Sequence, residues 1–392
     1  MTVAAAPSRS RSGEWSAEPG FGVYLHIPFC RHRCHYCDFN TYEGLDALFA
    51  PYVDALVADI DRWDGESSPA TSVFFGGGTP TLLPPEQLGR VLAAVSARTG
   101  IVHDAEITVE VNPETVNEAA FSVLLEAGFN RFSVGIQSLA PHVLEGLGRT
   151  HSADRALEAL AAARRVGASD LNADLIYGSP WERPGDWVHS LAGVIDAGTE
   201  HVSAYALTVE EGTPLHTLVA TGRVPDVDGD VQAERHYVAD EHLRAAGFDR
   251  YETSNWAQPG RASRHNVLYW SGGNYAGFGA GAHAHVDGRR WWSERLPRDF
   301  ISAVEEGVGT EAGFEQLDVS QRGPEALMLG LRLTSGVDLS ALQRLYGEEF
   351  LAERKPRIEQ LVSAGLLERS GSWLRLTERS TMLANDIICR LL

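Results

Sequence analysis

The sequence predicts an α/β protein: an incomplete (β/α)6 TIM-like barrel over residues 21–293, followed by a small winged-helix-like domain over 294–392. Three observations carry this expectation. Six short apolar runs alternate with longer segments of helical period, the polar residues cluster at the ends of those runs, and the alternation stops near residue 294.

The strand-like runs are 23–27, 72–76, 106–112, 131–137, 171–177 and 201–209. Between them, Leu88, Val91, Leu92 and Val95 fall on one helical face, as do Phe121, Leu124 and Leu125. Gly100, Gly128, Gly167 and Gly198 stand where each helix should end. Successive β-then-α units imply parallel strands joined by right-handed crossovers. A doubly wound open sheet and a TIM-like barrel both satisfy that order. The polar positions favour the barrel: Cys30, residues 76–79, Glu110, Gln137, Asp174 and Ala206 sit at or just past strand C-terminal ends, which a barrel gathers at one mouth. Six units leave it unclosed on one side. No GxGxxG follows the first run, against a dinucleotide fold.

Beyond residue 294, the stretches 325–332, 340–346 and 358–365 have helical pattern, 373–377 alternates like a strand and 381–392 reads as a closing helix. That is a winged-helix order, which often serves DNA binding. Residues 320–392 carry ten Lys and Arg against nine Asp and Glu with no basic face, so packing against the open side of the barrel is the favoured reading. Residues 1–20, rich in small residues, Ser and Arg, are expected to form a disordered tail, with the fold beginning near Phe21.

Of the 392 residues 44% are apolar and 22% charged, enough to bury a large core. The net charge of −20 disfavours nucleic acid and anionic lipid as partners. No apolar run is long enough to span a bilayer, and the N-terminus has no apolar core of a signal peptide, so a cytoplasmic location is expected. Three of the four cysteines lie within eight positions, a spacing for metal or redox work rather than a disulfide framework.

Those three form Cys30-Arg-His-Arg-Cys34-His-Tyr-Cys37, a CxxxCxxC run just after the first strand. Thiolates suit an iron–sulfur core, and three of them leave one iron of a cubane [4Fe–4S] cluster open to an outside ligand. The amino and carboxylate groups of S-adenosylmethionine can chelate such an iron, and electron transfer to the sulfonium then releases a 5′-deoxyadenosyl radical. Structural zinc is the competing reading, with His32 or His35 as fourth ligand, but zinc sites favour CxxC pairs. A ferredoxin-type site would need a fourth Cys, and Cys389 is expected to be a buried thiol instead.

Gly76-Gly-Gly-Thr79 ends the second strand and suits close backbone approach to an amine- or carboxylate-bearing head group. Glu110 ends the third, placed to hold a ribose hydroxyl or an ammonium; a capping acid is the alternative. Gln137 ends the fourth. Arg149, in the loop after it, is a fork for a carboxylate or merely a solvated cation. Asp174, on an apolar strand, needs a partner such as a ligand hydroxyl or Arg149.

In combination, CxxxCxxC, GGGTP, EVNP, GIQS and DLIYGSP resemble the radical S-adenosylmethionine enzymes of the oxygen-independent coproporphyrinogen III oxidase group, from about Phe21 to the C-terminus. The resemblance implies that Cys30, Cys34 and Cys37 bind the cluster, and that Tyr24, Tyr36, Gly77, Gly78, Thr79, Glu110, Gln137, Arg149, Asp174 and Ala206 line the S-adenosylmethionine sites. Two branches of that group differ in function. The oxidases carry a further Cys two positions after the third, where this chain has Phe39, and a longer N-terminal arm. The haem-chaperone branch carries the HNxxYW signature, matched by His265, Asn266, Tyr269 and Trp270. Read alone, those residues favour a packed core over a haem pocket, where an imidazole meets iron and aromatics meet the macrocycle; the resemblance reverses that preference. The resemblance implies a carrier that binds haem and passes it to an acceptor protein, with a reductant serving the cluster. The alternatives are radical decarboxylation of coproporphyrinogen III and a cluster-only electron-transfer module. The Gly-rich stretch 272–288, with His283 and His285, reads as a loop near the mouth.

Overall fold

The computed structural model describes residues 13–65 and 68–392. In chain order the first strand is β1 (Phe21–Ile27). The cysteine loop that follows is pinned by a two-residue parallel pair, β2 (Phe29–Cys30) and β3 (Tyr42–Glu43). Then come α1 (Phe49–Arg62), β4 (Ala70–Gly77), α2 (Pro85–Thr99), β5 (Ile101–Val111), α3 (Glu118–Ala127), β6 (Arg131–Gln137), α4 (Pro141–Leu147), α5 (Ala153–Arg165), β7 (Leu171–Tyr177), α6 (Asp186–Asp196) and β8 (His201–Ala206). β1, β4, β5, β6, β7 and β8 are parallel neighbours in that order, the six-stranded arc expected of the partial barrel.

Alternation along these strands separates two environments. Val23, Leu25 and Ile27 pack outward with Val53, Leu56 and Ile60 of α1, in a core shared by the other helices. Gly22, Tyr24 and His26 align across the ladder with Ser72, Phe74 and Gly76 on the opposite, inner face. Polar residues recur on that inner face at every second position.

The sheet extends beyond the expected six strands. After α7 (Pro214–Ala220) and α8 (Gly229–Ala245), the short strands β9 (Asp249–Arg250) and β10 (Asn255–Ala257) join antiparallel beyond β8. Past α9 (Arg264–Trp270), β11 (Asn274–Phe278) pairs parallel with the free edge of β1. β12 (His283–Val286), β13 (Arg289–Ser293) and β14 (Glu311–Gln316) then continue antiparallel, with α10 (Pro297–Glu306) between the last two. The stretch 272–288 is therefore two strands and a turn, not a loop. Its glycines hide the strand pattern, and Gly277 has the carbonyl of His283 so close that no Cβ fits there.

The expected boundary at residue 293 cuts this sheet. β14 completes it, and Phe300, Ile301 and Val304 of α10 belong to the barrel core. A second core forms around α11 (Val319–Gly330), β15 (Val337–Asp338), α12 (Leu339–Tyr346), α13 (Glu348–Ser363), β16 (Leu367–Ser370), β17 (Trp373–Leu376) and α14 (Ala384–Leu391), with the three strands in one antiparallel sheet. Tyr251, Ala257 and Ala262 of the barrel join that core, and Val267 and Trp270 of α9 pack on it.

Of the segment expected to be a disordered tail, residues 1–12 lie outside the described residues. Residues 13–20 are packed: Trp15 is buried in the C-terminal core, edge-on to Trp373, and its amide donates to Ser335. One Trp among small residues was the available signal. Cys389, expected to be buried, is exposed on α14. No helix among the described residues is long and apolar enough to cross a membrane.

Candidate functional site

The cysteine loop is held by backbone bonds and by the Asn40 side chain. The amides of Gly78 and Thr79 donate to the carbonyls of Ile27 and Phe29 at 2.8 and 2.7 Å. The His35 amide donates to Leu147 and its carbonyl accepts from Leu215. Asn40, just past the third cysteine, donates to the carbonyls of Ala280 and Arg295, both at 3.0 Å. Gly77 has φ of +112°, and a Cβ there would strike the His26 ring; a Cβ on Gly78 would lie 2.6 Å from the Phe29 carbonyl oxygen. The glycine run is thus required first by close packing of two loops, a use of glycine that composition alone does not reveal.

Cys30, Cys34 and Cys37 are half-buried and interact electrostatically. Burial raises the Cys30 thiol to about 11, a trend the Thr79 hydroxyl opposes from 3.8 Å. The Arg149 guanidinium donates to Cys34 Sγ at 3.4 Å and to the Gly135 carbonyl at 3.2 Å, while its Nε is buried without a partner. Thr41 Oγ1 lies buried beside the thiols of Cys30 and Cys37, and Gln137 Oε1 is buried without a partner. Gln137 also adopts φ of +57°, a left-handed conformation uncommon for a non-glycine residue. Three thiols on one loop, flanked by an arginine with an unpaired nitrogen and by the unpaired Gln137 oxygen, suit an anionic cluster with a polar ligand beside it. The two histidines of the zinc alternative each hold one partner through Nδ1. His35 Nδ1 donates to the Gly146 carbonyl, and His32 lies 3.5 Å from Glu43.

Around the rest of the mouth, Glu110 Oε2 accepts from the Gly77 amide at 3.1 Å. Asp174, for which Arg149 was a candidate partner, is instead held by the Ser133 hydroxyl and the Asn172 amide, both at 2.8 Å. Asn172 also donates to Ser133 and Ser203, and its oxygen pairs with His201 at 2.6 Å. Tyr24 bonds His26 at 2.9 Å. Tyr36 is half-buried beside Cys34, and Ala206 is exposed at the rim. His26, Thr41, Ser133, Asn172, His201 and Ser203 escaped the sequence reading. Except for Thr41, which lies in the cysteine loop, their signal was period-two polarity within strands, as in Asn172 and Asp174 or His201 and Ser203.

Burial and the neighbouring Asp174 charge push Glu110 up to about 8, opposed by the Gly77 amide. Its folded value lies above its ordinary one near 4.5, so its contribution to stability is complete below about pH 4.5 and is lost as pH rises through 8. Glu110→Gln should therefore leave stability nearly unchanged at pH 4.5 and raise it by a few kcal/mol at pH 9, at about 1.4 kcal/mol per pH unit of displacement. Thermal unfolding of the ligand-free chain across that range checks this; parallel curves would show the carboxyl to be ordinary.

The HNxxYW residues occupy α9, which enters the barrel from the end opposite the cysteines. Its first turn is capped by buried Glu106, which accepts from the amides of Arg264 and His265 at 2.8 and 3.1 Å and from the Ser263 hydroxyl. His265 is 1% exposed and stacks on Phe74. Its Nδ1 pairs with Ser72 and its Nε2 with Tyr269, both at 2.9 Å, and burial lowers it to about 3. Asn266 reaches Tyr251 at 3.4 Å, and Trp270 packs on the C-terminal core. The structure does not bring His265 to the cysteine mouth.

Residues 24–192 match the radical SAM superfamily and 317–383 the HemN C-terminal domain. The heme chaperone HemW of Mycobacterium tuberculosis is 40% identical over 377 residues, covering 95% of each chain. The chain belongs to the HemW family. HemW of Escherichia coli is 32% identical, over 94% of this chain and 97% of that one. The mitochondrial radical S-adenosyl methionine domain-containing protein 1 of Bos taurus, at 38% identity, covers 88% of this chain and 76% of its own. The solved coproporphyrinogen III oxidase HemN of E. coli superposes with a TM-score of 0.82 over 97% of this chain and 91% of that one. At 20% identity this likeness shows that HemW chains share the HemN fold, and no more.

Proposed function

We propose that this chain is a cytoplasmic haem chaperone that binds haem and hands it to an acceptor protein, with a [4Fe–4S] cluster and S-adenosylmethionine at the barrel mouth. The observation that carries this reading is end-to-end identity of 40% with a protein named a heme chaperone, in a chain that places Phe39 where the oxidases have a fourth cysteine. Phe39 is 64% exposed and supplies no ligand.

Cys30, Cys34 and Cys37 would hold the cluster, which when bound supplies a single electron at low potential. Arg149 offsets negative charge at Cys34 and has Nε free for an anionic ligand group. Glu110 and Asp174 present carboxyl groups to hydroxyls or an ammonium, while Gln137 presents an unpaired oxygen. Tyr24, Tyr36, Gly77, Gly78, Thr79 and Ala206 complete the proposed wall around S-adenosylmethionine.

Anaerobic incubation of the reconstituted protein with S-adenosylmethionine, a reductant and coproporphyrinogen III is expected to yield no protoporphyrinogen. The same protein should take up about one haem per chain and transfer it to an apo-haemoprotein. Protoporphyrinogen formation, or failure to bind haem, would sink the chaperone reading.

A further inference from the structure

The inner face of the barrel does not end at β1. Gly22 aligns with Tyr275 of β11, Tyr275 opposes His285 of β12, and His283 and His285 oppose Trp292 and Arg290 of β13. One continuous face therefore carries the lumen outward across the edge strands, where α11 covers it. Between that face and α11 lies a cavity of about 440 Å³, within the range of sites for compact organic ligands.

Four features give this cavity the chemistry of an iron tetrapyrrole site. Tyr269 lines it from α9 and meets Tyr275 edge-on at 4.7 Å, while Ala326 and Leu329 line it from α11. His283 lines it, is exposed, and its ring forms no hydrogen bond with any described residue; it lies 5.8 Å from the Trp292 ring. His285, by contrast, has both nitrogens occupied, by the Gly273 carbonyl and the Gly288 amide. Arg322 also lines the cavity and has no ion pair among the described residues, whereas Arg290 is held by Glu315 and Glu325.

A neutral imidazole with an open nitrogen is an iron ligand, aromatic and aliphatic walls accept a flat macrocycle, and a free guanidinium takes a carboxylate. We propose that haem seats in this cavity, with His283 as axial ligand to the iron and Arg322 pairing a propionate. His265, buried with both nitrogens bonded, acts as a positioning residue that holds the Tyr269 hydroxyl. This assignment rests on the haem-carrier reading and specifies its site.

The test is haemin titration of the full-length protein, followed by Soret absorbance and by low-temperature electron paramagnetic resonance of the ferric complex. The wild type should show a histidine-ligated complex. His283→Ala should lose that signature and weaken binding at least tenfold, with added imidazole restoring the signature. His283→Cys should convert it to a thiolate-ligated one, a change only a residue touching iron produces. Arg322→Glu should weaken binding with the axial signature intact. His265→Ala should retain the histidine signature, since His283 still supplies it. If the wild type binds haem and His283→Ala and His283→Cys keep the wild-type signature, this site is overturned and the carrier reading stands. If the wild type binds no haem, both fall.

Discussion

Replacing any one of Cys30, Cys34 or Cys37 with alanine should reduce iron after anaerobic reconstitution from about four per chain to less than a tenth of that, while Cys389→Ala leaves it unchanged. The contrast follows from placement. The three thiols share one loop, interact electrostatically and are half-buried, whereas Cys389 is exposed on α14 in the other core. A single thiolate lost from three leaves two irons without protein ligands, so the loss should be nearly complete. The variants should still fold. The loop is held by backbone bonds from Gly78, Thr79 and His35 and by the Asn40 side chain, none of which uses a thiol. Iron and acid-labile sulfide analysis, with circular dichroism as the folding control, checks the result. Full iron content in a single Cys variant would show that another ligand completes the set. S-adenosylmethionine binding should fall with the cluster, because an open iron is then missing.

Much of this site was legible before any coordinates. β1, β4, β5, β6 and β7 lie within a few residues of the apolar runs, because strands buried by helices on their outer face must be apolar at alternate positions. The last run overreached: β8 ends at Ala206 rather than residue 209. Cys30, Glu110 and Gln137 lie at strand ends as expected, since a parallel barrel leaves its loops there, whereas Asp174 sits in the middle of β7. The edge strands β9 to β14 were not legible, being short, with β11 and β12 set among flanking glycines, so no run establishes a period. The role of His265 was equally hidden. HNxxYW reads the same whether its imidazole faces a ligand or, as here, bridges Ser72 and Tyr269. Nothing local distinguishes these, because Ser72 comes from a strand 193 positions away. His283, in a run that looked like a loop, lines the cavity with a ring that bonds no described residue.

The largest stability effect is expected at Arg131, far from the mouth. Its side chain is 3% exposed and pairs with Asp170 at 2.6 Å, on the strand end opposite the cysteines. Removing the arginine leaves Asp170, already raised by partial burial, beside the buried carboxylate Glu106, whose negative charge raises it further. Truncating one partner of a buried pair costs about 3–5 kcal/mol, and the lower end applies here because Arg261 stays 3.7 Å from the other Asp170 oxygen. Arg131→Met should therefore lower unfolding free energy by about that much, measured by urea denaturation. Arg131→Met with Asp170→Asn should recover a substantial part, since the unpaired charge goes with it. A loss below about 1 kcal/mol would mean that water reaches the pair. The effect should also spread along the chain. Glu106 is the residue that caps α9, accepting from the amides of Arg264 and His265. With Arg131 gone, the carboxylate that caps α9 loses a neighbouring cation. α9 carries Tyr269 to the cavity under α11 and Trp270 to the C-terminal core. A charge buried in the barrel floor thus sets how firmly the two cores hold together around that cavity, and haem affinity in Arg131→Met should fall even where the protein remains folded.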